Sequence, residues 1–107
     1  MSNDESFEDC PPAPVIDGGP SRDLPIVNLR GLHARATAKF VQCAEQFDAE
    51  VFVTRCGETV GGTSIMGILT LGAGIGSTIN VAARGKQAEQ ALDAIAALVA
   101  NRFGEEE

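Results

Sequence analysis

The sequence contains no tryptophan or tyrosine and only five phenylalanines among its 107 residues, so its core must be built from aliphatic side chains. Histidine occurs once and the three cysteines show no paired spacing, which leaves too few ligands for a zinc site. A serine or cysteine hydrolase needs a base and an orienting acid beside its nucleophile, and the sequence offers no such set. The sequence therefore predicts no metal and no cofactor, and it does not support an enzyme.

Positive charge is also scarce, since eight basic residues face fifteen acidic ones and the formal net charge is −7. Nucleic acids and anionic membrane surfaces both attract clustered lysine and arginine, whereas these basic residues are scattered. No apolar run reaches the length of about 18 residues that spans a membrane. The first residues lack the apolar region of a secretion signal, and an odd cysteine count fits a reducing compartment. We therefore expect a cytoplasmic protein that binds neither nucleic acid nor membranes, with its cysteines as core or surface thiols.

The composition divides the chain into three segments. Residues 1–22 hold four of the five prolines and five acidic residues against one arginine, with no hydrophobic period. Such a segment buries too little apolar surface to offset the entropy of ordering it. We expect a disordered acidic tail over 1–22, one domain over 23–104, and a short acidic end over 105–107.

Hydrophobic periodicity predicts seven elements in the domain, in the order β-α-β-β-α-β-α. The predicted strands are Pro25–Leu29, Glu50–Arg55, Thr59–Thr63 and Ser77–Ala83. The predicted helices are 34–47, the segment Ser64–Leu71 with Ser64 as its N-cap, and 86–102. Hairpins mixed with crossovers indicate an α+β fold: an open-faced two-layer sandwich whose four-stranded antiparallel sheet carries three helices on one face.

The single histidine, His33, lies where a loop enters the first predicted helix. The first N–H groups of a helix have no intrahelical partner and carry the positive end of the dipole, so this position favours phosphate. A neutral imidazole is a nucleophile, and the helix N-terminus disfavours its protonated form. Arg35 adds a planar cation with several donors. From these residues alone, His33 is either a phosphoryl acceptor or an ordinary surface or capping histidine.

Two segments together resemble a known family. The run GLHARATAKFV, at 31–41, is similar to the active-site signature of HPr, the histidine phosphocarrier family of the phosphoenolpyruvate-dependent phosphotransferase system. The run GGTSIMGILTLGAGIGSTINV, at 61–81, resembles the family's second signature, and the two runs have the family's order and spacing. The resemblance covers about residues 24–103, and the family's fold has the element order predicted above.

The resemblance implies a role for six residues. His33 is the phosphorylated residue, through Nδ1, and Arg35 is the active-site arginine. Ser64 matches a serine that HPr kinase/phosphorylase modifies in some lineages. An apolar docking surface for enzyme I and IIA-type proteins is matched by Ile65, Met66 and Leu69, for which ordinary core packing is the alternative. The resemblance thus implies a monomeric phosphoryl carrier that is a protein substrate and not an enzyme.

Two residues depart from the family's pattern. Ala36 stands where the family commonly has proline, and as a good helix former it keeps the helix with a less rigid start. Thr63 stands where many kinase-regulated members have lysine, which weakens the kinase assignment. Ala36, the acidic tail and the absence of a fused transport domain resemble the nitrogen-related branch, whose carriers serve regulation more than sugar uptake. The alternative function is a regulatory binding module controlled by phospho-Ser64 with His33 idle; the presence of His33 together with Arg35 argues against it.

Overall fold

The computed structural model describes residues 19–105, which form four strands and three helices. The strands are β1 (Ser21–Pro25), β2 (Glu50–Arg55), β3 (Glu58–Gly61) and β4 (Thr78–Arg84). The helices are α1 (Ala34–Glu45), α2 (Ile65–Leu71) and α3 (Ala88–Ala100), and a 3₁₀ turn, Arg102–Gly104, follows. The predicted order β-α-β-β-α-β-α is confirmed.

The strands form one antiparallel sheet in the order β1-β4-β2-β3. Alternate residues of its central strands, Val51, Val53, Ile79 and Val81, belong to a single buried cluster that also takes in side chains of all three helices. Since alternate strand residues share one face, the helices cover one face of the sheet. The predicted α+β two-layer sandwich is confirmed.

Helix α1 buries one stripe of its surface. Ala36, Phe40 and Ala44 are buried at helical spacing, whereas Cys43 is half-buried. The helix ends at Glu45, so Phe47, which the prediction placed at its last turn, lies beyond it and is only partly buried.

The first strand lies earlier than predicted. The prediction Pro25–Leu29 is wrong, because β1 runs from Ser21 to Pro25 and its core side chain is Leu24. The chain then leaves the sheet for a turn in which Gly31 N–H donates to the Asn28 carbonyl at 3.1 Å. Alternate side chains along residues 24–29 face the core, since Leu24, Ile26 and Asn28 are buried while Val27 and Leu29 are exposed.

The start of β1 includes two residues of the predicted tail. Arg22 lies opposite Val81 in the sheet, and its guanidinium pairs with Glu89 at 3.3 Å and Asp93 at 2.7 Å on α3. The first eighteen residues of the predicted tail lie outside the described residues.

The cysteines differ in state. Cys43 is a free thiol whose pKa is raised by burial. Cys56 is disulfide-bonded, so the interpretation of every cysteine as a thiol is wrong at this position. Spacing along a sequence does not show which cysteines a fold brings together. Within residues 19–105, no helix is long and apolar enough to cross a membrane.

Candidate functional site

His33 is the N-cap residue of α1, and its side chain is 22% exposed. Its backbone is extended and its ring makes no capping hydrogen bond. The first hydrogen bond of the helix runs from Thr37 N–H to the His33 carbonyl at 2.8 Å, so the N–H groups of Ala34, Arg35 and Ala36 have no partner within α1. The histidine thus stands at a helix end that favours an anion.

The loop that carries His33 lies against the loop that follows α2. Leu32 N–H donates to the Ala73 carbonyl at 2.9 Å. Gly31 has φ +66°, and a Cβ there would lie 2.5 Å from the Ala73 oxygen and 2.7 Å from Gly74 Cα. Only glycine fits both the left-handed backbone and this close approach. Gly31 therefore allows the two signature segments to meet at the start of α1.

A third side chain, which the sequence analysis missed, contacts the ring of His33. Glu105 accepts a hydrogen bond through Oε2 from His33 Nε2, and through Oε1 from Asn28 Nδ2 at 3.0 Å. Asn28 is fully buried, and its Nδ2 also donates to the Gly31 carbonyl at 2.9 Å. The hydrogen bonds from Asn28 and then from His33, with the charge of Arg30 as a smaller cause, hold the pKa of the Glu105 carboxyl below its usual range.

A left-handed turn after α3 brings Glu105 to the site. Arg102, Phe103 and Gly104 have φ values of 58°, 54° and 79° in succession. The Phe103 side chain is fully buried, and Lys39 Nζ on α1 donates to its carbonyl at 2.6 Å. These contacts fix the last described residue of the chain next to His33. No local sequence pattern indicates this contact, because residues 33 and 105 are 72 positions apart.

The two arginines near His33 are exposed. Within residues 19–105, neither Arg30 nor Arg35 forms a side-chain hydrogen bond or an ion pair. Arg35 was identified from the sequence and Arg30 was not. Both cations are therefore able to approach an anion held at the start of α1.

Ser64 is the N-cap of α2, as its sequence predicted. Its Oγ accepts a hydrogen bond from Gly67 N–H at 3.1 Å, and the residue is exposed. A Cβ at position 67 would lie 2.8 Å from Ser64 Oγ and 3.0 Å from Val60 Cβ. Gly67 thus lets the capping hydroxyl lie close over the helix start.

The apolar residues of α2 divide between core and surface. Ile68 and Leu71 are buried, whereas Ile65 and Met66 are 43% and 70% exposed and Leu69 is half-buried. Core packing therefore does not account for Ile65 and Met66.

Three further large apolar side chains are exposed, and none of them is among the docking residues expected from the sequence. They are Val27, Leu29 and Ile75. Two backbone hydrogen bonds join their loops. Ile26 N–H donates to the Ser77 carbonyl at 2.8 Å, and Gly76 N–H donates to the Ile26 carbonyl at 3.0 Å. The loop before His33 and the loop after α2 therefore add exposed apolar side chains to those of α2.

The fold and site define a small α+β protein with a partly exposed histidine at an anion-favouring helix start. A family model described as "PTS HPr component phosphorylation site" matches residues 20–101. A phosphocarrier protein HPr from Cupriavidus necator is 50% identical over 86 residues, which cover 80% of this chain and 97% of that protein. A phosphocarrier protein NPr from Shewanella violacea is 42% identical over 84 residues, covering 78% and 92%.

Solved structures agree with these relatives. The crystal structure of HPr-C-His from Thermoanaerobacter tengcongensis aligns with a TM-score of 0.79 and 38% identity, over 82% of this chain and 99% of that one. The chain belongs to the HPr family, the phosphocarrier proteins of the phosphotransferase system. Members of this family are carriers and not enzymes.

Proposed function

We propose that His33 accepts a phosphoryl group on Nδ1 from phospho-enzyme I and passes it to IIA-type proteins. The observation that carries this proposal is the position of His33 at the start of α1, ahead of three N–H groups with no partner in the helix. A phosphoryl group has several acceptor oxygens and negative charge, which these donors and the helix dipole stabilise. The ring contacts Glu105 through Nε2, so Nδ1 is the nitrogen left for transfer.

Arg35 is the residue that stabilises the phosphoryl group during transfer. Its side chain is exposed and has no competing ion pair within residues 19–105. A guanidinium offers two parallel donors to phosphoryl oxygens and remains charged at all relevant pH values. Arg35 follows His33 by two residues, so it reaches the same helix start.

Partner docking uses the exposed part of α2. Ile65 and Met66 are the exposed apolar residues of this helix, and Leu69 is half-buried beside them. Exposed aliphatic and methionine side chains near a site suit contact with protein partners. Enzyme I and IIA-type proteins are the partners that this surface serves, with the carrier as a monomer in the cytoplasm.

Ser64 is a regulatory phosphorylation site, with HPr kinase/phosphorylase as the enzyme that modifies it. Its hydroxyl is exposed and lies at the start of α2, next to Ile65 and Met66. Relatives named HPr and NPr both match this chain, so the assignment to the nitrogen-related branch stays a prediction.

The test is transfer from phosphoenolpyruvate through enzyme I to the purified chain. Intact mass should show one added phosphoryl group, which acid removes because phosphohistidine is acid-labile. The His33→Ala variant should gain none, and Arg35→Ala should gain it more slowly while unfolding within about 1 kcal/mol of the wild type, as for an exposed charge. Normal phosphorylation of His33→Ala would contradict the proposal.

A further inference from the structure

Hydrogen bonds link Asn28, Glu105 and His33, and the chemistry of these groups determines which is the donor and which the acceptor. Asn28 faces two acceptors, the Gly31 carbonyl and the Glu105 carboxylate, so its NH₂ group must point towards them. An ionised carboxylate only accepts hydrogen bonds, and the lowered pKa of Glu105 keeps it ionised at neutral pH. His33 Nε2 must therefore carry the hydrogen in its contact with Glu105.

A neutral imidazole carries one proton, so a proton on Nε2 leaves a lone pair on Nδ1. We propose that Glu105, held by Asn28, is a positioning residue that keeps the His33 proton on Nε2 and so presents Nδ1 as the nucleophile. This inference rests on the proposed function of His33. It assigns the choice between the two ring nitrogens to a residue at the other end of the domain.

The proposed step balances in protons and electrons. The Nδ1 lone pair forms the bond to phosphorus while the bond between phosphorus and the donor breaks, and that electron pair stays with the donor. Nε2 keeps its proton, and the ring gains a positive charge next to the Glu105 carboxylate, which stabilises it. On transfer to the acceptor the N–P bond breaks and its electron pair returns to Nδ1.

The arrangement carries features that folding alone does not require. The Oδ1 atom of Asn28 is buried without a hydrogen-bond partner in the described part of the chain, which destabilises the fold. Phe103 is a bulky residue with a left-handed backbone, φ 54°, which such side chains rarely adopt. Both features serve the same contact, since Asn28 holds the Glu105 carboxylate and the turn at Phe103 delivers it. Burial of Phe103 and the bond from Lys39 to its carbonyl keep this turn in place.

The test combines ring tautomer and transfer rate in full-length ¹⁵N-histidine-labelled protein. Long-range ¹H–¹⁵N spectra at about pH 9, where imidazole is neutral, report the proton position without any phosphoryl transfer. In the wild type we expect the Nε2–H tautomer. In Glu105→Gln the side-chain amide can either donate or accept, so the Nδ1–H fraction should rise several-fold and phosphorylation by phospho-enzyme I should slow roughly tenfold.

Two further variants complete the test. Glu45→Gln removes the same charge from an exposed position at the end of α1, and it should leave both readouts at wild-type values. Glu105→Asp keeps a carboxylate on a shorter side chain and should restore part of the tautomer preference and of the rate. If Glu105→Gln melts well below the wild type, its transfer rate no longer separates the role of Glu105 from a loss of folded protein. The tautomer and the transfer rate of Glu105→Asp, compared with those of Glu45→Gln, then show whether a carboxylate at position 105 places the proton.

Three results would overturn the inference. An unchanged tautomer in Glu105→Gln would show that the carboxylate does not place the proton. A changed tautomer with a wild-type rate of phosphorylation would show that the position of the proton does not affect transfer. Faster transfer in Glu105→Gln would show that the carboxylate chiefly repels the incoming phosphoryl group. A wild type that enzyme I never phosphorylates would instead contradict the proposed function of His33, while the spectra would still decide whether Glu105 places the proton.

Discussion

Ionisation of the Glu105 carboxyl links the candidate site to the stability of the fold. This group accepts hydrogen bonds from Asn28 and His33, and both lower its pKa. A carboxyl whose pKa is lower in the folded than in the unfolded chain stabilises the fold at pH values above the unfolded pKa, about 4.3 for glutamate. That contribution is lost as the pH falls through the folded pKa.

The expected consequence is a pH-dependent difference between wild type and Glu105→Gln. At neutral pH the wild type should melt a few degrees higher, because only it has the ionised acceptor. The difference should shrink below about pH 4.3 and disappear once Glu105 is protonated, as glutamine resembles a protonated glutamate. Thermal unfolding of both proteins between pH 3 and pH 7 measures it. A difference that grows on acidification would show that the sign is wrong.

For the helices and strands, boundaries set by adjacent residues were predicted correctly, whereas those set by contacts between distant residues were not. The start of α1 at Ala34 and the cap at Ser64 depend on a few adjacent residues, and both agreed with the structure. The strand Pro25–Leu29 was misplaced because β1 is set by its pairing with β4 and by the ion pairs of Arg22. The last helix ends at Ala100, before the left-handed turn at Arg102–Gly104, which no periodicity marks.

The same distinction holds for the candidate site. His33, Arg35 and Ser64 lie in short runs that carry their own pattern, so the sequence was enough to select them. Glu105 looked like one of three glutamates in an acidic end, and only the fold brings it to His33. Asn28 was missed since its importance depends on a contact with a residue 77 positions away.

The short helix α2 gives a prediction that separates regulation from folding. Ser64→Asp keeps an N-cap acceptor, so its unfolding free energy should stay within about 0.5 kcal/mol of the wild type. Its added charge lies beside Ile65 and Met66, and a partner that covers them must desolvate it, so transfer from enzyme I should fall. Asp carries less charge than phosphoserine, so the fall can be partial.

The matched variant is Ser64→Ala, which removes the cap without adding charge. It should lose about 0.5–2 kcal/mol of stability and keep its transfer rate. Rates and chemical denaturation of both variants provide the comparison. Equal transfer by Ser64→Asp and the wild type would remove the regulatory role and leave Ser64 as a cap alone.

For the whole molecule, the beginning of β1 decides where the stable domain starts. The Pro20 carbonyl accepts a hydrogen bond from Ala83 N–H at 3.0 Å, and Arg22 pairs with two acidic residues of α3. Gly19 also lies close to β4, since a Cβ there would fall 1.8 Å from the Ala83 oxygen. Residues 19–22 therefore contribute to the sheet edge.

Two truncations test this start. The variant without residues 1–22 should be less stable than the variant without residues 1–18 by about 1–3 kcal/mol, from lost strand hydrogen bonds and exposed ion pairs. Both lack the same first eighteen residues, so their difference reports only on residues 19–22. Thermal melting and phosphorylation of the two proteins are the measurements. Identical melting temperatures would place the start of the stable domain after Arg22.

The pairing of β1 with β4 also determines when β1 can join the sheet during synthesis on the ribosome. Ser21–Pro25 can find their partners only after residues 78–82 have been made. At about 5–20 residues per second, the hydrogen-bonding edge of the first strand stays unpaired for roughly 3–12 s. Strand β2 waits for β4 as well, so β4 completes the sheet on both of its sides. The nascent chain is therefore most exposed to wrong pairing with other chains in the seconds before β4 emerges.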